Sequence, residues 1–313
     1  MRKFGTLASA LAAALAVLGF YRPPRNLLIA PFSNGLFADS TMASVAPSRA
    51  AFGRSGAVRV QFALPGELVR YPLDVPADTI GLRYEWVALD GMTPIDSAHR
   101  SDTTGFTAPG HPGLYQLGIS RNGEHRVLEA ITVAVMVPFE EKQGGKLDGY
   151  RLGMFMAEKK NHAGHERPDG FVRITEAVAE LPITKHLRLG DFLSRQEQAA
   201  WPRYAAMNGR VLDKVELVVA KLAMWRGDTL RPQTLLSVHS GFRAPVFNRT
   251  VRRAAKDSRH QYGDAMDVAI DADGDGKLTL KDARIVALAV DAVEQDFPEL
   301  VGGMGLYTSR RYP

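Results

Sequence analysis

The sequence predicts an α+β protein in which an N-terminal apolar segment precedes an all-β sandwich and a C-terminal half of mixed α and β structure. Three observations support this class. An uncharged run, FGTLASALAAALAVLGF, follows a basic start. Alternating apolar and polar residues, broken by turn residues, fill residues 56–140. An amphipathic helical pattern among short β-type runs lies within residues 141–313.

The N-terminus has the composition of an export signal. Arg2 and Lys3 precede the apolar run, and Arg22 follows it. We therefore expect residues 1–21 to be a signal peptide or an uncleaved anchor in the inner membrane, with the rest of the chain exported. Residues 22–55 are rich in Pro, Ser, Ala and Gly, and we expect them to be a linker.

Strand patterns dominate residues 56–140. The candidates are Val58–Phe62, Leu82–Leu89, Gly113–Ile119 and Val127–Val137, and turn residues such as Asn122-Gly123 separate them. The segment TGFTAPGHPGLYQLGIS resembles a hairpin of an immunoglobulin-like module. We expect an immunoglobulin-like sandwich. Its residues lack catalytic spacing, so the expected role is that of a spacer or a binding module.

Composition limits the possible chemistry. The chain has no cysteine, which excludes disulfides and thiolate metal sites, so any metal must use histidine and carboxylate ligands. The net charge of +5 is mildly basic, but no nucleic-acid-binding motif accompanies it. We therefore expect no nucleic-acid partner.

The C-terminal half begins with structural elements. Val211–Trp225 has the apolar periodicity of a core helix, and Leu235–His239 is a short β-type run. Ala244–Ala255 is predicted to form a second helix, with Pro245 at its start. We expect His239 to pack in the core; the alternative is that it approaches the metal site predicted below. We expect His162 and His165 in the Gly- and Pro-rich segment NHAGHERPDG to be solvated; the alternative is a metal site that they form with Glu166.

One short segment carries a possible metal site. In SRHQYGDAMDVAID, Gly263 permits a tight turn between His260 and Asp267, and Ala265–Ile270 alternates as a strand. Such a bend can bring an imidazole and a carboxylate onto one zinc ion. Spacing alone is weak support, because a His near an Asp also fits an ordinary surface hydrogen bond.

The wider motif is more specific. SVHSGFRAPVFN at 237–248 lies upstream of SRHQYGDAMDVAID at 258–271, and GGMGLY follows at 302–307. Together they resemble the D-alanyl-D-alanine carboxypeptidase family of zinc peptidases. The resemblance implies a mixed-sheet zinc peptidase domain at residues 141–313. It also implies zinc-dependent hydrolysis of D-Ala-containing peptidoglycan stem peptides in the bacterial periplasm or cell envelope.

The same resemblance implies roles for four residues. His260 and Asp267 would be zinc ligands. Arg243 would bind the terminal carboxylate of the substrate, since a guanidinium can bind a carboxylate through two hydrogen bonds. Ser258 would donate a hydrogen bond to the same carboxylate. The alternatives are a structural salt bridge for Arg243 and a loop cap for Ser258.

The chain departs from the family pattern at its end. The family's third ligand is a histidine that follows the GGxGxY strand, and no histidine follows residue 260 here. The sequence therefore holds two of three ligands and no identifiable general base. We expect either an incomplete C-terminus or a non-catalytic protein that binds the envelope or the cell wall. The choice between carboxypeptidase and endopeptidase stays open.

A second metal motif follows directly. DADGDGKLTLKD resembles a calcium-binding loop, and hard oxygen ligands at alternating positions are what Ca²⁺ prefers. Asp271, Asp273 and Asp275 are the first expected ligands, followed by the backbone carbonyl of Lys277 and the carboxylate of Asp282. The alternative is an acidic, Gly-rich turn. A helix over Lys281–Val293 is expected to follow.

Overall fold

The computed structural model describes residues 45–47, 51–71, 73–75, 81–91, 96–98, 105–160, 164–193, 200–227 and 236–306. The predicted signal or anchor at 1–21 and most of the predicted linker lie outside these residues. Within them, none of the helices combines the length and the apolar character that a bilayer crossing requires. The described chain mixes strands with a few helices, which confirms the mixed α and β class.

Strands form most of the N-terminal half. A five-stranded sheet has the order β2-β9-β8-β5-β6, and two-stranded ladders join β3 to β7 and β1 to β4. The strands are β1 (Ala46–Pro47), β2 (Val60–Ala63), β3 (Leu68–Arg70), β4 (Leu73–Asp74), β5 (Arg83–Ala88), β6 (Asp96–Ser97), β7 (Gly105–Thr107), β8 (Gly113–Arg121) and β9 (Glu124–Val135). The β2–β9 pairing is parallel, and the other pairings in these sheets are antiparallel.

The β8–β9 hairpin shows why the local sequence folds in this way. Asn122 and Gly123 have φ angles of 51° and 85°. A two-residue turn with positive φ at both positions matches the right-handed twist of the strands that it joins, and Asn-Gly is a favoured pair there. The predicted turn at this dipeptide is therefore confirmed.

The five-stranded sheet is buried on both faces where β2, β8 and β9 meet. Tyr115 and Val133 pack into a core with Trp86 at its centre. Their chain neighbours Leu114 and Ala134 pack into a second core, which is shared with the C-terminal half. Alternate strand residues point to opposite faces, so one sheet serves both cores. The apolar packing therefore continues across the predicted boundary at residue 140.

The C-terminal half contains short strands and two long helices. Its strands are β10 (Val137–Pro138), β11 (Lys146–Leu147), β12 (Tyr150–Arg151), β13 (Gly170–Ile174), β14 (Arg203–Ala205), β15 (Leu236–Ser240) and β16 (Asp267–Ile270). They form antiparallel sheets with the orders β10-β13-β14, β11-β12 and β15-β16. The helices are α1 (Gly209–Trp225), α2 (Pro245–Asn248) and α3 (Leu280–Asp296).

Both long helices were predicted from apolar periodicity. The Asn208 side chain caps α1 by accepting a hydrogen bond from the Arg210 amide at 2.9 Å. Leu222 of α1 packs with Ala289 and Val293 of α3 in a third apolar cluster. These contacts place the two helices on one side of the β15–β16 ladder.

The predicted helix over 244–255 is wrong beyond its first turn. Only α2, Pro245–Asn248, is helical, and turns follow it. Arg253 has a φ of 65°, a left-handed conformation that a continuing right-handed helix does not contain. The side-chain Nδ2 of Asn248 donates a hydrogen bond to the Ala255 carbonyl at 2.8 Å, which holds the chain in this reversal.

The end of the predicted linker is packed against α1. The buried Asp213 carboxylate accepts hydrogen bonds from the backbone amides of Arg54, at 2.8 Å, and Ser55, at 2.9 Å. Gly53 has a φ of 82°, and a Cβ there would lie 2.3 Å from the Asp213 carboxylate. Residues 53–55 are therefore fixed to the helix, with glycine required at their start.

A buried acid fixes another loop to α1. Glu216 Oε1 accepts hydrogen bonds from Thr184 Oγ1, at 2.5 Å, and from the His186 amide, at 2.8 Å, and Oε2 lies 2.7 Å from His186 Nδ1. Burial raises the pKa of the Glu216 carboxyl, but the hydrogen bonds from His186 and Thr184 and the charge of His186 lower it by more. The pKa therefore lies below the ordinary value of 4.5.

This lowered pKa predicts an acid-dependent loss of stability. The stabilisation is fully present above pH 4.5, the ordinary value, and is lost as the pH falls through the lower pKa of the folded state. Urea unfolding measured from neutral pH downward should show this decrease, and Glu216→Gln should flatten it. Glu176→Gln, at an exposed position, is the control. A Glu216→Gln protein with an unchanged pH profile would contradict the assignment.

Candidate functional site

A large cavity lies beside the β15–β16 ladder. Its volume is about 1500 Å³, and its walls come from α1, α3, β16 and residues 300–306. Ser258, His260 and Asp267 line it together with His239. The cavity therefore brings three of the residues predicted from the motif to one surface.

Strand register brings the two motif segments together. Ser240 at the end of β15 pairs with Asp267 at the start of β16, after a bulge that begins at Val238. The chain leaves β15 towards Arg243 and enters β16 at Asp267. The ladder thus places the SGFR segment next to the carboxylate that is a candidate ligand.

A short 3-10 helix, Arg259–Tyr262, carries His260. It ends at Gly263, which has a φ of 70°. A Cβ at Gly263 would lie 2.3 Å from the Ala206 carbonyl oxygen and 2.6 Å from the Met207 amide nitrogen. The predicted tight turn is confirmed, and close backbone packing adds a second reason for glycine there.

His260 is buried, with 8% of its surface exposed, and its orientation is fixed. Nδ1 lies 2.7 Å from the Gly241 carbonyl oxygen. Because a carbonyl only accepts hydrogen bonds, Nδ1 carries a proton, and in the neutral imidazole the lone pair is therefore on Nε2. Metal-bound histidines are typically held in this way, with the second ring nitrogen donating to a carbonyl or carboxylate.

The distance between His260 and Asp267 fits a shared zinc ion. Nε2 lies 3.4 Å from Asp267 Oδ1. Ligand atoms about 2.0–2.1 Å from a tetrahedral zinc lie about 3.3 Å from each other. The two atoms therefore have the separation of neighbouring zinc ligands, and their chemistry, one imidazole and one carboxylate, suits zinc.

Arg243 contacts both candidate ligands. Its Nη2 lies 3.1 Å from His260 Nε2 and 2.5 Å from Asp267 Oδ2, and its Nε donates to Ser240 Oγ at 2.7 Å. Its backbone amide donates to the His260 carbonyl at 3.0 Å. The sequence offered substrate binding or a structural salt bridge for this side chain, and the structure shows the salt bridge.

The charge of Asp267 is favoured by its neighbours. Burial raises the pKa of this carboxyl, but the hydrogen bond and the charge of His260 in its protonated form, together with the charge of Arg243, lower it by more, so the pKa is below its ordinary value. A carboxylate must be deprotonated to bind a metal. Asp267 is therefore in the form that a metal ion requires.

Ser258 is buried at the start of the 3-10 helix. Its carbonyl oxygen, not its hydroxyl, closes the turn by accepting from the Gln261 amide at 2.9 Å. The hydroxyl makes no cap hydrogen bond to the helix. The loop-cap alternative therefore does not describe the hydroxyl of Ser258.

The site has two candidate metal ligands, His260 and Asp267, in the part of the chain that the structure describes. Among those residues, no third histidine, aspartate or glutamate places a ligand atom close enough to His260 and Asp267 to complete a three-residue cluster. The expectation that His239 packs in the core is wrong, because His239 lies at the β15 bulge, lines the same cavity and is partly exposed.

The acidic loop after β16 brings three carboxylates together. Ligand oxygens of Asp271, Asp273 and Asp275 lie within 4.8 Å of one another, so this group could hold a metal ion. Backbone amides support the arrangement: Gly274 and Gly276 donate to Asp271 at 2.8 and 2.9 Å. The amide of Lys277 donates to Asp275 Oδ1 at 2.8 Å.

Asp282 has a structural role at the start of α3. Its carboxylate accepts hydrogen bonds from the amides of Ala272, at 2.8 Å, and Asp273, at 3.2 Å. It also accepts from the amide and the hydroxyl of Thr279, both at 2.7 Å, in a capping box. Asp282 lies outside the three-carboxylate cluster but ties the acidic loop to the helix.

Two contacts near the site carry no signal in the sequence. Gly241 supplies the carbonyl that orients His260, which depends on the fold of the backbone and not on a side chain. His165, expected to be solvated, packs edge-on against the Tyr262 ring with centroids 5.1 Å apart. His162 lies outside the described residues.

Comparison of the chain with protein families, curated proteins and solved structures finds no match. A functional assignment therefore rests on the geometry of the site and on the motif that the sequence carries.

The turn at Gly263 predicts a large effect of a single methyl group. Gly263→Ala should lower the free energy of unfolding by at least about 2 kcal/mol, because strain at positive φ adds to a clash with the backbone at Ala206. Gly66→Ala is the matched control, since Gly66 has a φ of 76° and open space around it. Urea unfolding of both variants measures the difference in their free energies of unfolding. If both variants lose the same free energy of unfolding, the clash at Gly263 does not destabilise the protein.

Proposed function

We propose that this protein is a zinc-dependent peptidase that hydrolyses D-Ala-containing peptidoglycan stem peptides in the bacterial periplasm or cell envelope. One observation carries the proposal. His260 is fixed by the Gly241 carbonyl so that Nε2 lies 3.4 Å from Asp267 Oδ1, the separation expected of two zinc ligands.

The arrangement of the motif supports the proposal. The SGFR segment and the HxxGxAxD segment are separated in the chain, yet the β15–β16 ladder brings them together. A chance pairing of a surface histidine with an aspartate does not require a buried imidazole, a glycine turn and an adjoining cavity. The cavity of about 1500 Å³ has room for a peptide substrate.

In the proposed reaction, two residues of the site would hold the metal ion and two would bind the substrate. Zinc, when bound, polarises a carbonyl group and activates water for hydrolysis. His260 and Asp267 hold the ion, and the Gly241 carbonyl keeps the imidazole in the binding tautomer. The hydroxyl of Ser258, on the cavity wall, donates a hydrogen bond to the substrate carboxylate. Arg243 provides the matching positive charge once its side chain is free of Asp267.

Another observation favours a second candidate function. Arg243 already neutralises Asp267, and the described residues supply two zinc ligands. Both features fit a non-catalytic protein with a degenerate peptidase fold that binds the cell wall or another envelope component. In that case the β-rich N-terminal half and the cavity would provide binding surfaces.

Two measurements on the full-length protein distinguish these functions. Zinc content is measured by elemental mass spectrometry, and muropeptides are analysed by mass after incubation with the protein. A peptidase releases D-Ala or divides cross-linked peptides, and His260→Ala should remove both zinc and activity. His111→Ala, at an exposed position, should retain both. Activity that survives His260→Ala would contradict the zinc assignment, and retention on peptidoglycan without cleavage would favour the binding function.

We also propose that the acidic loop binds Ca²⁺ through Asp271, Asp273 and Asp275, with the Lys277 carbonyl as a further ligand, while Asp282, expected from the sequence as the last ligand, caps α3 instead. Close carboxylates repel one another, and a hard cation relieves that repulsion. The ion would stabilise the loop that leaves β16, next to Asp267. Its role would be structural and not catalytic.

Calcium should therefore raise the thermal unfolding midpoint. At one hundred times the dissociation constant, binding adds about 2.7 kcal/mol to the stability of the folded state. Differential scanning fluorimetry with calcium or a chelator measures this gain. Asp271→Asn should remove it, whereas Asp296→Asn, which alters a surface ion pair with Lys221, should keep it. A calcium response that persists in Asp271→Asn would place the ion elsewhere.

A further inference from the structure

The guanidinium of Arg243 contacts both side chains that would hold a metal ion. Its Nη2 lies 3.1 Å from His260 Nε2 and 2.5 Å from Asp267 Oδ2. A zinc ion held by these side chains would lie about 2.0–2.1 Å from its nitrogen and oxygen ligands. The guanidinium and a zinc ion would therefore use the same two side chains.

Arg243 and a zinc ion would both use the lone pair on His260 Nε2. Nδ1 donates to the Gly241 carbonyl, so in the neutral ring Nε2 has a single lone pair, which lies 3.1 Å from Arg243 Nη2 and can accept a hydrogen bond from it. Zinc binding needs the same lone pair. The contact with Arg243 must break before His260 can become a ligand.

We propose that Arg243 competes with zinc for His260 and Asp267, and that zinc binding releases the guanidinium to bind a substrate carboxylate. The inference rests on the zinc site of the proposed function and adds a regulatory step to it. Arg243 thus sets the metal affinity of the site. The guanidinium of Arg243 binds the substrate carboxylate only when the metal is bound.

The charges of the site support this exchange. Asp267 contributes one negative charge, and Arg243 balances it in a buried ion pair with side chains 8% and 13% exposed. A zinc ion added beside the guanidinium would put three positive charges against one carboxylate, which is unfavourable in a buried site. Moving the guanidinium away relieves the repulsion, and the carboxylate of a peptide supplies the missing negative charge.

The backbone allows the side chain to move alone. The Arg243 amide donates to the His260 carbonyl at 3.0 Å, independently of the guanidinium. The contacts that must break are side-chain hydrogen bonds to Ser240, His260 and Asp267. The loop that carries His260 can therefore stay in place while the guanidinium leaves.

The test is the zinc affinity of the full-length protein, measured by competition with a chromophoric chelator in the presence of calcium. Arg243→Gln should bind zinc at least about tenfold more tightly than the wild type, because the competing cation is gone. Arg243→Lys should show a smaller gain, since an ammonium lacks the fork geometry of a guanidinium. Circular dichroism checks that both variants fold. If Arg243→Gln folds poorly, Arg243→Lys still tests the competition, because it keeps the positive charge.

Arg259→Gln is the matched control for charge. Arg259 lines the same cavity, but its guanidinium pairs with Asp264 at 2.5 Å. Its removal should change the zinc affinity by less than about twofold. Equal tightening in both glutamine variants, or unchanged or weaker binding in Arg243→Gln, would overturn the competition.

His260→Ala separates this inference from the proposed function. If His260→Ala binds zinc as tightly as the wild type, the zinc site itself is wrong. If His260→Ala loses zinc while Arg243→Gln gains nothing, the zinc site stands and the competition by Arg243 is wrong.

Discussion

The hydrogen bond between His260 Nδ1 and the Gly241 carbonyl is the interaction on which the candidate site depends. In the neutral ring it selects the tautomer with the lone pair on Nε2, and it fixes the ring beside Asp267. The carbonyl is available because the backbone at Gly241 packs tightly, since a Cβ there would lie 2.6 Å from Phe192 Cα. The Phe242 amide continues this contact by donating to the Phe192 carbonyl at 2.9 Å. The orientation of the His260 ring thus depends on close backbone packing at Gly241.

The strand β16 connects two groups of potential ligands. Asp267 begins the strand, and the acidic loop begins directly after its last residue, Ile270. The capping interactions of Asp282 hold that loop against α3 through the chain's own amides. These hydrogen bonds, with those from Gly274 and Gly276 to Asp271, define the conformation of the loop and keep its carboxylates close to one another. The loop continues directly from the strand that carries Asp267.

Local signals made part of this structure predictable. Asn122-Gly123, the apolar face of α1 and the turn at Gly263 all depend on residues close in sequence, and each was predicted correctly. The helix predicted over 244–255 was wrong because the chain leaves the helical path after Asn248 and reverses through turns that include a positive φ at Arg253, which apolar periodicity does not reveal.

The same distinction applies within the site. The motif predicts that His260 and Asp267 lie together, but the contacts of Arg243 with both depend on strand register and burial.

The sheet shared by the two halves has a further consequence, for how such a protein can evolve. Leu114 and Ala134 belong to the N-terminal half, yet they complete the core beneath the candidate site. A recombination event that transferred the C-terminal half alone would leave this core open to water. The C-terminal half therefore depends on the N-terminal half for a closed core, and a substitution on the shared face of the sheet affects the packing of both.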